Sequence, residues 1–97
     1  ILTDSTKVLT DSSQIDSERV ERLAMAVPGV QACHAIRTRG SRNHIYMDLH
    51  VHVAPEMTMA VAHCLAHQVE QAIMKQFPEV SEVVVHLEPH LPNLEND

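Results

Sequence analysis

From Tyr46 to Val53 polar and apolar residues alternate without a break, with Met47, Leu49, Val51 and Val53 in one row and Tyr46, Asp48, His50 and His52 in the other. A two-residue period is that of a strand with one face on a core and the other toward water. Upstream, Val20, Leu23, Ala24 and Val27 follow helical spacing. Asp16 or Ser17 can cap that helix and Pro28-Gly29 can end it, which predicts a first helix over Ser17 to Val27. Val30 to Thr38 and Ile45 to Val53 read as two strands of a hairpin turning at Gly40-Ser41-Arg42-Asn43. After Ala54-Pro55, Thr58 caps a longer helix to about Gln76, with Val61, Leu65, Val69, Ala72 and Ile73 as its buried stripe. Ser81 to Glu88 is a third strand, Val83, Val85 and Leu87 on one side and Val84, His86 and Glu88 on the other.

The order α-β-β-α-β predicts an α+β domain with both helices on one face of a three-stranded sheet and the second face uncovered. That open face carries His50, His52, His86 and Glu88. The first strand leaves one question. His34 shares a side with Val30, Ala32 and Ile36, so either it borders the core or a bulge turns it outward.

Composition sharpens this picture in two ways. With 44% apolar residues but one Phe, one Tyr and no Trp in 97 positions, the single core must be built of aliphatic side chains and stands to gain from a partner or ligand. Seven basic against thirteen acidic residues give a formal charge of −6, which repels phosphate backbones and attracts cations, so no nucleic acid is expected as a partner. No apolar stretch approaches the roughly 20 residues of a bilayer helix, so no direct membrane insertion is expected of this fragment. Residues 1–13 read as a polar linker, 14–90 as the folded domain and 91–97 as a flexible tail.

Eight histidines are the unusual number. Imidazole and carboxylate are ordinary ligands of borderline divalent metals, and a site needs several of them converging from separate elements. Three strands and the second helix each contribute at least one histidine, and Glu88 follows His86 on the same side of its strand. On the second helix His63 and His67 stand at i and i+4 with Glu70 beside them, either a clamp for a metal or a solvated helix face. His63 lies about 160 to 200° round the helix from the expected stripe, so it would join the open sheet face only near the helix start or from a second subunit. Clustered histidines also allow pH sensing without metal. Cys33 and Cys64 read as small core residues, Met57, Met59 and Met74 as packing, and Arg37, Arg39 and Arg42 as a solvated hairpin end.

Taken together, VPGVQACHAIRTRGSRNHIYMDLHVHVAP, AHCLAHQVEQAIMKQFPEV and VVVHLEPH resemble the cytoplasmic C-terminal domain of cation diffusion facilitators, proton-coupled exporters of zinc, iron, manganese and related ions. The likeness covers about Ser17 to His90, and ILTDSTKVLTDSS resembles the linker after the last transmembrane helix of that family. It implies a metallochaperone-like (truncated ferredoxin-like) αββαβ fold and a V-shaped homodimer attached to the transmembrane domain of the same transporter. It also implies a divalent metal ion, zinc first with iron or manganese as alternatives, near the dimer interface. By position the resemblance assigns His34, His50, His63 and His86 as ligands, with Glu88 where zinc members often have Asp and Ala35 where many have an acid. In some iron-associated members the positions are instead those of Asp48, His63, His86 and His90. The function so implied is that of a regulatory metal-binding and dimerisation domain, not an enzyme. A binuclear metallohydrolase, a free-standing metal carrier and a metal-free pH sensor are the alternatives.

Overall fold

The structure, a computed structural model, describes residues 15–91; the expected linker 1–13 and nearly all of the expected tail 91–97 lie outside them. Two helices and three strands follow in the predicted order: α1 (Ser17–Met25), β1 (Ala32–Ser41), β2 (His44–Val53), α2 (Met59–Gln76) and β3 (Val80–Pro89). Asp16 caps α1, its side chain accepting from the Glu18 N–H, and Thr58 caps α2 by accepting from the Val61 N–H. Each cap satisfies a backbone donor that the first helical turn leaves without a partner. The α1 helix ends two residues short of the expected Val27.

The sheet order is β1-β2-β3, with β1 antiparallel and β3 parallel to the central β2. A parallel neighbour requires a crossover, and α2 supplies it. The hairpin is tighter than expected: Ser41 pairs with His44, leaving Arg42-Asn43 as the turn. Gly40 is a glycine for a reason, since it sits at φ +116° and a Cβ there would run into the His44 carbonyl oxygen.

Ile45, Leu49 and Val51 of β2 are fully buried against Val20 of α1 and Val69 and Ile73 of α2. Each such side chain contributes roughly 1.5–3 kcal/mol relative to exposure. The buried line on α2 is Ala62, Leu65, Ala66, Val69 and Ile73, and it corrects the expected stripe, because Val61 is 54% exposed. Ala62 and Ala66 take the buried places beside Leu65, and Gly29 approaches the Leu65 side chain closely. With this stripe His63 sits roughly 110° round the helix from its centre, on a flank and not at the far pole. Cys64 is exposed, against the expectation that both cysteines are core residues, whereas Cys33 is buried.

A bulge answers the question of His34. Its neighbour across the ladder is His50 and the next pair is Arg37 with Asp48, so Ala35 and Ile36 stand opposite Leu49 alone. Two residues against one flips the side-chain parity. Ala35 accommodates the flip at φ +55°. Cys33 and Ile36 therefore pack inward while His34 and Arg37 both face the open side. Among the described residues no helix is long and apolar enough to cross a membrane.

Candidate metal centre

Register decides which polar residues meet on the open face. His34, His50 and His86 line up across β1, β2 and β3, and one step along, Ala32, His52 and Glu88 do the same. Alanine at position 32 leaves room beside His52, which is nonetheless 6% exposed because its neighbours fold over it. Nε2 of His34 and Nε2 of His52 are 2.9 Å apart. Oε1 of Glu88 lies 3.0 Å from the His52 nitrogen and 3.6 Å from that of His34. These three atoms form a compact triangle.

The triangle fits a borderline cation. Ligands at about 2.1 Å in tetrahedral geometry stand roughly 3.4 Å from one another, so adjustments of a few tenths of an ångström bring two imidazoles and a carboxylate to the distances zinc requires, with one position left over. Surrounding groups hold the triangle in shape. Nδ1 of His50 donates to Oε2 of Glu88 at 2.6 Å, fixing the carboxylate from its far side. Nδ1 of His90 is 3.3 Å from Nδ1 of His52, and a contact at that nitrogen orients the ring so that Nε2 faces Glu88 and His34. The His86 ring stacks on His50 with centroids 4.8 Å apart. The hydrogen bond from His50 is the first cause that holds the Glu88 carboxyl below its ordinary range, and burial opposes it. An ionised carboxylate beside two imidazoles is the state a cation needs.

The other residues singled out from the sequence lie apart from this triangle. Asp48 is engaged by Arg37, whose Nε and Nη2 donate to its two oxygens at 3.0 and 3.2 Å. This hydrogen bonding, with the adjacent positive charge, places the Asp48 carboxyl below the usual carboxylate range. His63 and His67 are on α2 with ring centroids 4.7 Å apart. His52 is the member of the triangle that the resemblance does not assign. Its signal was in the alternation, which placed it beside His50 on the open face.

A three-stranded αββαβ sheet whose free face gathers imidazoles is a metallochaperone-like module of the ferredoxin-like class. The chain belongs to the family described as cation efflux protein, cytoplasmic domain, whose model matches residues 13–90. It is 36% identical over 72 residues to metal tolerance protein C1 of Arabidopsis thaliana, covering 74% of this chain and 15% of that protein. It is 37% identical over 83 residues to the cation-efflux pump FieF of Cronobacter sakazakii, covering 84% of this chain and 27% of the pump. The chain thus spans only a minor part of the curated relatives it matches. Among solved structures, the manganese form of a MamM CTD variant superposes with a TM-score of 0.71 at 26% identity, covering 76% of this chain and 94% of that one.

Proposed function

We propose that this chain is the regulatory metal-sensing and dimerisation domain of a proton-coupled cation efflux transporter, and that a divalent ion, zinc first with iron or manganese as alternatives, binds at His34, His52 and Glu88 on the open sheet face. The observation that carries this reading is the convergence of three ligand atoms from β1, β2 and β3 into one triangle. Solved manganese, cadmium and nickel forms of MamM domains support a site that accepts divalent ions. Names such as cation-efflux pump and metal tolerance protein among the relatives support a transport context over a hydrolase.

The mechanism follows from charge. Two copies in a V-shaped homodimer each bring a formal charge of −6, and at low ionic strength that repulsion holds the arms apart. A cation on the open face removes local negative charge and offers its remaining coordination position to the partner's arm, which favours the closed arrangement. Moving the closed fraction from about 1:99 to 99:1 takes a preference of roughly 5.5 kcal/mol for the closed form. A shared transition-metal site reaches that scale. Closure is then felt by the attached transmembrane domain.

Small-angle scattering of the chain with and without zinc tests this. A more compact dimer with zinc, reversed by a chelator and lost in Glu88→Gln, is the expected result. Identical scattering in both states overturns metal-driven closure.

A further inference from the structure

Topology gathers the β1–β2 hairpin, the α2–β3 turn and the start of α1 at one end of the domain. The hairpin closes between Ser41 and His44, and β3 begins at Val80 beside Ile45, just after α2 ends at Gln76. Arg19, in the first turn of α1, reaches the same end, donating to Gln76 and lying 5.1 Å above the centre of the Phe77 ring. Ile15 and Ser17 line one cavity with Thr38, Arg39 and Tyr46. The chain therefore enters the fold at its hairpin end. In the proposed function, on which this inference rests, residues 1–13 arrive from the transmembrane domain, so this end faces the bilayer.

Charge is distributed to match. Arg19, Arg39, Arg42 and Lys75 stand at the hairpin end, whereas residues 26–31 and 54–58, the loops of the opposite end, hold Glu56 and no Lys or Arg. Arg37, further along β1, is neutralised by Asp48. Arg39 and Arg42 are exposed and make no ion pair among the described residues; the Arg39 guanidinium instead lies 5.8 Å above the centre of the Tyr46 ring. Asp16, Glu18, Glu79 and Glu82 share this end, with Asp16 engaged in the α1 cap, but from Thr38 to Met47 the hairpin tip has no acid. Charges are screened beyond about 8 Å at physiological ionic strength, and ten-residue strands span about 33 Å. The tip is thus locally positive in a chain of net charge −6.

We propose that the hairpin tip, through Arg39, Arg42 and the Tyr46 ring, is a docking surface for the anionic phospholipid headgroups of the membrane to which the domain is attached. A guanidinium matches a phosphate in shape as well as charge. The Tyr46 ring suits a layer that is apolar on one side and wet on the other. Each basic side chain near an anionic leaflet raises partitioning about fivefold. That is weak for a free protein, but attachment to the membrane supplies a high effective concentration. Docking at the tip orients the domain with His34, His52 and Glu88, at the other end of the strands, away from the bilayer.

The experiment is amide NMR of the whole 97-residue chain, free of zinc and at low salt, with vesicles that carry a lipid bearing chelated gadolinium, whose broadening registers weak and brief contacts. On vesicles of phosphatidylcholine with phosphatidylglycerol, broadening should centre on residues 39–44 with a weaker effect at 75–79, and should vanish on phosphatidylcholine alone. Arg39→Gln combined with Arg42→Gln should lower partitioning about 25-fold, whereas Glu56→Gln leaves it unchanged. Broadening centred on residues 26–31 or 54–58, equal broadening on the two kinds of vesicle, or no broadening at the tip overturns the proposal. A short RNA that perturbs the tip as strongly as the vesicles do would overturn the assignment to lipid. Both arginines are exposed, and the map of the unsubstituted chain stands even if the double variant folds poorly. Because no zinc is present, failure of metal-driven closure leaves this result untouched, and a silent tip leaves the zinc scattering result untouched.

Discussion

Nε2 of His34 lies 2.9 Å from Nε2 of His52, with the two rings at 78° to each other. Two imidazole nitrogens keep that separation only when at least one presents a lone pair, and lone pairs in this arrangement are what a cation takes up. If His52 is a ligand, His52→Ala lowers zinc affinity tenfold or more, as His34→Ala does. This is the order of magnitude expected when a site loses one of few protein ligands. Competition calorimetry against a chelator of known affinity measures it. His52→Ala binding zinc as tightly as the unsubstituted chain would remove that residue from the site.

The bidentate pair of Arg37 and Asp48 sits one pair of residues further along the same face. Its first consequence concerns ligand choice. A carboxylate already occupied by a guanidinium is a poor recruit for metal, so Asp48→Asn leaves zinc affinity unchanged, in contrast to Glu88→Gln. The second concerns acid. Arg37 holds the Asp48 carboxyl below its ordinary range, so the folded state binds that proton less readily than the unfolded chain does. The stabilisation is complete above the unfolded value of about 3.9 and fades as pH falls through the lower folded value. Urea unfolding should therefore show Asp48→Asn to be the less stable chain at pH 7. The gap should narrow as the pH is brought below 3.9, and a gap of constant size would contradict the assignment.

Two backbone positions in the hairpin have positive φ, and the one at Ala35 sets where His34 points. Ala35 occupies the left-handed region at φ +55°, which costs an L-residue roughly 1–2 kcal/mol. A β-branched side chain tolerates that region less well, so Ala35→Val destabilises by about 1–3 kcal/mol, whereas Ala35→Gly is neutral or slightly stabilising. Gly40→Ala meets both an unfavourable φ and the His44 carbonyl, and is expected to cost about 2 kcal/mol or more. Denaturation midpoints give the order Ala35→Gly, unsubstituted chain, then Ala35→Val. Equal midpoints for the glycine and valine variants would mean that the bulge is not held at Ala35.

Much of this architecture was legible because local signals agreed with the global one. Asp16 and Thr58 cap where polar residues precede apolar periods, and the strict alternation from Tyr46 to Val53 identified both faces of β2. Where the reading failed, a small residue or a backbone irregularity was responsible. Val61 outweighed Ala62 and Ala66 as an apolar marker, yet close packing of α2 favours the alanines. One extra residue opposite Leu49 reverses the faces of β1, which the apolar side that His34 shares with Ala32 and Ile36 raised as an option but did not decide. The triangle at the candidate site depends on register between strands far apart in sequence, which is why His52 was visible as a face residue but not as a ligand.

The two cysteines provide a test that is independent of metal. Cys33 lies in the core, on the inward row of β1, while Cys64 is exposed on α2. Burial is the larger cause that pushes the Cys33 thiol up to about 11, and the negative charge of Glu21 adds to it. Only the thiolate attacks an alkylating reagent. Native chain treated with iodoacetamide at pH 8 should therefore take up one adduct, at Cys64, and a second only in denaturant, as read by mass spectrometry of the intact chain and its peptides. The same shift carries a stability consequence of opposite sign to that of Asp48. Since the folded state holds the Cys33 proton more tightly than the unfolded chain, its contribution is complete below the unfolded thiol's value and is lost as pH rises through about 11. Cys33→Ala should flatten that alkaline decline. Two adducts on the native chain at pH 8, or an alkaline decline that Cys33→Ala leaves unaltered, would place Cys33 outside the core.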